Sequence, residues 1–391
     1  MDAPPDAAAS SAPPGAPAGE RTVAAYLDFD LAARVAARLA PAGPAAGPDE
    51  VADAVGALRE AAAGAAGPVA ATARMRRDPA AGEEPPALVV DRASWARANV
   101  EAFRSLLAPV RVPAPPPGRR PARAGGRAER ATTAVGRRAT GAETGALLAF
   151  LSSRVLGQFD VFSGVDDGGP GRLLLVAPNV VQVERELGVD PGDFRRWVCL
   201  HEEAHRLQFG ANPWLRRWLA QEARELSADL LSTQRDLGER LSGALRGLPE
   251  VLRGEGDGGT ATGTGVGVVD LLQTPQQRER VRRLVAVMSL LEGHADVVMD
   301  DVGPQVVPTV ATIRERFTER RRGRGALDQL TRRLLGLDAK TRQYADGARF
   351  VRGVLREVGW DGLNAVWRGP ESLPAPAEVA DPGAWVRRVH G

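Results

Sequence analysis

Apolar residues recur at helical spacing along most of the chain, and this pattern predicts a mainly helical protein. Near the N-terminus the spacing predicts helices over Val23–Ala40, Glu50–Ala63 and Ala93–Leu107. The segment Asp190-Pro191 has the residues of an N-cap and a first helical turn, so we expect a helix to begin there. The same reasoning predicts the remaining helices over residues 143–156, 178–187, 213–236 and 276–299.

One short segment has the composition of a buried strand instead. Residues 172–177 have the sequence Arg-Leu-Leu-Leu-Val-Ala, a continuous apolar run that is too short for a typical helix. A strand among many helices predicts an α+β fold that is predominantly α-helical. We expect this strand to form the sheet edge along which an extended peptide lies.

Changes in composition divide the chain into four predicted parts. Residues 1–20 are mostly Ala, Pro, Gly and Ser, which predicts a disordered tail. Residues 21–107 form an N-terminal helical region, and residues 108–135 are rich in Pro, Gly and Arg, which predicts a linker. Residues 136–391 contain the candidate chemistry described below and are predicted to form a metal-binding domain.

The charge balance and the single cysteine limit the classes of function. Lys and Arg total 51 against 49 Asp and Glu, a near balance that predicts no nucleic-acid partner. Lys340 is the only lysine, and this preference for Arg is typical of high-GC genomes such as those of actinobacteria. Because Cys199 is the only cysteine, neither an intrachain disulfide nor a cysteine-based zinc site is expected.

The apolar segments are too short for a membrane protein. No window approaches 18 uninterrupted apolar residues, so we expect no membrane association. The first residues are acidic and rich in proline, and they lack the basic start and apolar core of a signal peptide. We therefore predict a cytoplasmic protein.

Two of the four histidines lie in one pentapeptide, His201-Glu202-Glu203-Ala204-His205. Residues four apart lie on the same face of a helix, so both imidazoles can bind a single Zn²⁺. This is an HExxH motif, which places Glu202 beside the two histidines as a general base.

A catalytic zinc usually has a third protein ligand. The metzincin pattern is excluded, because Gln208 and Ala211 stand where that pattern requires Gly and His. The candidates are Glu292 and His294, which point about 200° apart on one helix. Asp296 shares the face of Glu292, where it can accept a hydrogen bond from a ligand histidine. This geometry favours Glu292 as the ligand, with Asp296 and His294 as supporting groups, and leaves His294 as the alternative ligand.

The expected chemistry is hydrolysis of an amide bond. One zinc ion per chain would lower the pKa of its bound water to about 7. Glu202 would accept the proton as the water attacks an amide or peptide carbonyl, and would then protonate the leaving amine. Tyr344 is a candidate stabiliser of the oxyanion, with a purely structural role as the alternative. The expected partner is therefore a peptide or a small amide substrate.

Several stretches of the sequence resemble a known family. They are spread over about residues 20–390 and comprise Val90–Ala93, Ser152–Gln158, Leu175–Asn179, the HExxH motif with Arg206 and Phe209, Met288–Asp296 and Gly336–Lys340. They resemble the actinobacterial zincin-like family once catalogued as a domain of unknown function, DUF2342. Its members are regarded as hydrolases or zinc-dependent metalloproteases. The resemblance implies a zincin-like metallopeptidase core that contains the HExxH helix.

The resemblance also bears on the third ligand and on the partners. The run Leu291-Glu292-Gly293-His294-Ala295 is similar to the second zinc motif of gluzincin peptidases, in which a glutamate is the third ligand. By position this implies Glu292. One branch of the family is associated with coenzyme F420 biosynthesis. Two further hypotheses stay open: a catalytically silent zinc-containing scaffold or accessory protein that binds a protein partner, and a small-molecule hydrolase on the same core.

Overall fold

The computed structural model describes residues 20–113, 125–229, 231, 274–322 and 337–391. Helices dominate these ranges, and two small sheets accompany them, which confirms the predicted α+β, predominantly helical fold. The helices are α1 (Phe29–Leu39), α2 (Pro48–Ala73), α3 (Arg92–Leu107), α4 (Gly125–Ser152), α5 (Ala177–Leu187), α6 (Pro191–Ala211), α7 (213–229), α8 (Pro275–Asp301), α9 (Val310–Arg322), α10 (Leu337–Leu363, interrupted at Gly359) and α11 (Pro382–His390). The strands are β1 (Glu20–Thr22), β2 (Leu88–Val90), β3 (Arg111–Pro113), β4 (Gly157–Asp160) and β5 (Arg172–Val176).

The larger sheet has the strand order β2-β5-β4. The strand predicted at 172–177 is confirmed as β5, but its predicted place at the sheet edge is wrong. β5 pairs in parallel with β2 and antiparallel with β4, so it is the central strand. The partners have only three and four residues, too few for alternation of apolar and polar positions to reveal them in the sequence.

The predicted linker over 108–135 is too long. β3 lies inside it and pairs with β1 in an antiparallel two-stranded sheet. Helix α4 begins at Gly125, since the Ala and Arg residues that follow favour a helix despite the glycines among them. Residues 114–124, and residues 1–19 of the predicted disordered tail, lie outside the described residues.

Helix α6 lies in the largest apolar core and begins as the sequence predicts. The Asp190 side chain accepts a hydrogen bond from the Asp193 backbone N–H at 2.8 Å, and Pro191 stands in the first turn. Phe194 and Leu200 are buried in this core. Helices α2 and α8 pack against α6. Within the part of the chain that the structure describes, no helix combines the length and apolarity needed to cross a bilayer.

Helices α8 and α10 approach each other at two glycines. A methyl group added at Gly293 would lie 2.1 Å from the carbonyl carbon of Gly347. One added at Gly347 would lie 1.9 Å from the carbonyl oxygen of Ser289. Any side chain at either position would therefore force the two helices apart.

We expect Gly347→Ala to lower the free energy of unfolding by about 3 kcal/mol, because the methyl group meets backbone that cannot move aside. Gly56→Ala is the control, since Gly56 is exposed on α2 and its added methyl group has no neighbour within 4 Å. The control should be neutral or stabilising by up to about 1 kcal/mol. Equal effects of the two substitutions in denaturant unfolding would contradict this account of the helix contact.

Candidate metal centre

Helices α6 and α8 bring three ligand groups to one point. His201 Nε2 and His205 Nε2 lie 3.2 Å apart, and each is 3.6 Å from Oε2 of Glu292. Among the described residues, these three side chains form the one His, Cys, Asp and Glu cluster compact enough to hold a metal ion. His294 is not brought into this cluster.

The geometry of the cluster fits a zinc ion. Tetrahedral zinc with ordinary bonds to nitrogen and oxygen places neighbouring ligand atoms about 3.3–3.5 Å apart. The three distances lie close to this range, and two imidazoles with one carboxylate are a donor set of catalytic zinc sites. The His201 side chain is 24% exposed and the Glu292 side chain 18%, so the cluster is partly open to solvent.

The carboxylate of Glu292 and the histidines beside it interact favourably. Burial alone would raise the pKa of Glu292, but His201 and His205 outweigh it and hold this pKa well below its usual range. Burial lowers the pKa of His205, while Glu292 and then Glu202 raise it, with a net value of about 9. In the metal-free protein at neutral pH, therefore, the carboxylate of Glu292 is ionised and the imidazole of His205 is protonated and positively charged.

Glu202 packs against the edge strand β4 and is near enough to the cluster for the charges of His201 and His205 to affect its pKa. It is 6% exposed, and burial raises its pKa against the effect of the two ligand histidines. A methyl group added at Gly157 would lie 2.5 Å from Glu202 Cγ and 2.9 Å from its Oε1. Only glycine at this position of β4 leaves room for the carboxylate.

The other residues predicted on α8 lie close to the cluster. Asp296 Oδ1 is 4.0 Å from His201 Nδ1, longer than a hydrogen bond, and 3.5 Å from Nη2 of Arg314. His294 is fully buried and packs perpendicular to Trp360 and Trp367, with ring centroids 5.7 and 5.3 Å away. The opposite directions of Glu292 and His294 follow from their separation by two residues on a helix.

Sequence reasoning missed the role of Gln208, which it used only to exclude a metzincin. Its side chain is fully buried, and its Oε1 lies 3.0 Å from His205 Nδ1. The available signal was its position three residues after His205, on the same helix face. Cys199 is buried, with Sγ 3.8 Å from the Leu58 carbonyl oxygen, and takes no part in the cluster. The side chain of Tyr344 lies outside the described residues.

Comparison with known proteins agrees with this geometry. A family model described as zincin-like metallopeptidase matches residues 27–386. The chain belongs to this family. The resemblance noted in the sequence is thereby confirmed, and membership of the zincin-like metallopeptidase family implies a bound metal, typically zinc.

One solved structure is similar to the chain over nearly its whole length. It is a protein from Chloroflexus aurantiacus, described as a "putative hydrolase with a novel fold", with 28% sequence identity. The match covers 93% of this chain and 98% of the other, with a TM-score of 0.58. No curated protein matches the chain.

Zinc uptake should release a proton. The pKa of His205 is about 9 in the metal-free protein, and only the neutral imidazole binds zinc. Zinc affinity should therefore fall as the pH decreases below 9, by about tenfold per pH unit. Calorimetry at pH 7 in two buffers of different ionisation enthalpy should show about one proton released per zinc. A binding enthalpy that is independent of the buffer would contradict the expected protonation of His205.

Proposed function

We propose that this chain is a zinc-dependent hydrolase of peptide or amide bonds, with Glu202 as general base and then general acid. The observation that carries the proposal is the position of Glu202. Its carboxylate is not one of the three clustered ligand groups, but it packs against Gly157 of β4 and is close enough to the cluster for the charges of its members to shift the Glu202 pKa. Membership of the zincin-like metallopeptidase family supports the same reaction class.

His201, His205 and Glu292 would hold Zn²⁺, which would supply Lewis-acid activation of water and of the scissile carbonyl. Glu202 would accept the proton from the attacking water. Burial raises the pKa of Glu202, which makes its carboxylate a stronger base than an exposed glutamate. The same carboxyl group can then donate the proton to the leaving amine.

We place the extended substrate along β4 rather than β5. Within the described residues β4 pairs on one side only, with β5, so it is an edge strand, the kind of strand to which an extended peptide can add. β4 also contacts Glu202 through Gly157. A peptide bound along this strand would therefore lie close to the general base.

The other hypotheses remain predictions from the sequence. They are the catalytically silent scaffold, its association with coenzyme F420 biosynthesis, the small-molecule hydrolase and the cytoplasmic location. The scaffold hypothesis and the proposed hydrolysis differ in one respect that can be measured. Only hydrolysis needs the carboxylate of Glu202.

Glu202→Gln should retain zinc and the fold but lower kcat by about 10²–10⁴-fold, because an amide cannot accept the proton. Hydrolysis is measured with a library of internally quenched peptides. Glu203→Gln is the matched control: Glu203 pairs with Arg206 rather than with the metal cluster, so hydrolysis should persist. If Glu202→Gln keeps full function in cells while His205→Ala abolishes folding, the zinc is structural and the scaffold hypothesis is correct.

Gly157→Ala should lower kcat by about 100-fold with unchanged zinc content, because the methyl group displaces the Glu202 carboxylate. Gly136→Ala serves as the control, since a methyl group at this exposed position of α4 has no neighbour within 4 Å. If Gly157→Ala hydrolysed substrate at the native rate, the present position of the Glu202 carboxylate would not be required for hydrolysis.

A further inference from the structure

We propose that Gln208 sets the tautomer of His205, and that His294 and the Leu291 carbonyl group fix the orientation of Gln208. Gln208 and His294 would then be positioning residues of the metal centre, although neither belongs to the ligand cluster. The inference rests on the zinc site of the proposed function and does not depend on which bond is hydrolysed.

The Gln208 amide has one possible orientation. Its Nε2 lies 2.8 Å from the carbonyl oxygen of Leu291 and 3.0 Å from Nδ1 of His294. A carbonyl oxygen only accepts hydrogen bonds, so the amide nitrogen must face it. The amide oxygen is thereby directed to His205, where it lies 3.0 Å from Nδ1.

This orientation determines which nitrogen of His205 carries the lone pair once the ring is neutral. The amide oxygen can only accept, so Nδ1 of His205 must donate its hydrogen. In the neutral imidazole, Nε2 then carries the lone pair. That atom is the one that lies 3.2 Å from His201 Nε2 and 3.6 Å from Glu292 Oε2, inside the ligand cluster. The hydrogen bond thus prepares His205 to bind the metal.

His294 provides the second acceptor for the amide N–H groups of Gln208. Its Nδ1 faces an N–H of Gln208 and must accept, which requires a neutral ring with its hydrogen on Nε2. The ring is fully buried between Trp360 and Trp367, an environment that disfavours the charged form.

Helix α8 therefore contributes twice to the metal centre. Glu292 provides the third ligand, and the adjacent residue Leu291 provides the carbonyl group that orients Gln208. The contacts of His201 differ, because its Nδ1 lies 3.3 Å from Met299 Sδ and 4.0 Å from Asp296 Oδ1. Thioether sulfur is a weak acceptor, so His205 is the more firmly oriented ligand.

The test measures the zinc dissociation constant of full-length variants by competition with a chromophoric chelator. Gln208→Met removes the amide and keeps the length of the side chain, and it should weaken zinc binding by about 10–100-fold. The visible absorption of the Co²⁺-loaded variant should change as well, since the ring of His205 is no longer held. His294→Phe keeps a ring between the two tryptophans and should weaken zinc binding in the same direction by a smaller factor.

Gln277→Met is the matched control. Gln277 is also a buried glutamine, but it caps the start of α8, about 22 Å along the helix from Glu292. Its substitution should lower stability and leave zinc affinity unchanged. Native zinc affinity and an unchanged Co²⁺ spectrum in Gln208→Met would overturn the inference and leave the proposed function intact. Failure of the native chain to bind zinc would overturn both.

Discussion

The close packing of α8 against both α6 and α10 decides where Glu292 meets the two histidines. Glu292 must reach within 3.6 Å of each imidazole, although it is far from them in sequence. Gly293, the next residue, lets α10 pack closely on a neighbouring face of α8. A larger residue there would move α8, and the carboxylate would move with it. The metal cluster is thus a consequence of how three helices pack.

The same helices hold buried polar side chains of the centre in specific contacts. Gln208 lies between a backbone carbonyl and two histidines, and Glu202 lies against a glycine of β4. Buried polar groups are costly unless they are hydrogen-bonded, so such contacts restrict each side chain to one arrangement. Precise orientation of ligands and base is what hydrolysis by a zinc centre requires.

Local patterns in the sequence predicted much of this arrangement. The HExxH spacing placed His201 and His205 on one helix face, and the separation of Glu292 from His294 gave them opposite directions. The contacts of Gln208 with Leu291 and His294, and of Gly157 with Glu202, were not predictable, because the partners are distant in sequence and meet only through packing. The position of β5 at the sheet centre was missed for a related reason: its partner strands are too short to form a pattern.

The central claim is that Glu292 completes a zinc site with the two histidines of the HExxH helix. Elemental analysis of the purified native chain, Glu202→Gln and Glu292→Ala tests it most directly. The account predicts about one zinc per chain in the native protein and in Glu202→Gln, and loss of zinc in Glu292→Ala. Full zinc occupancy in Glu292→Ala would contradict it, since the third ligand would then lie elsewhere.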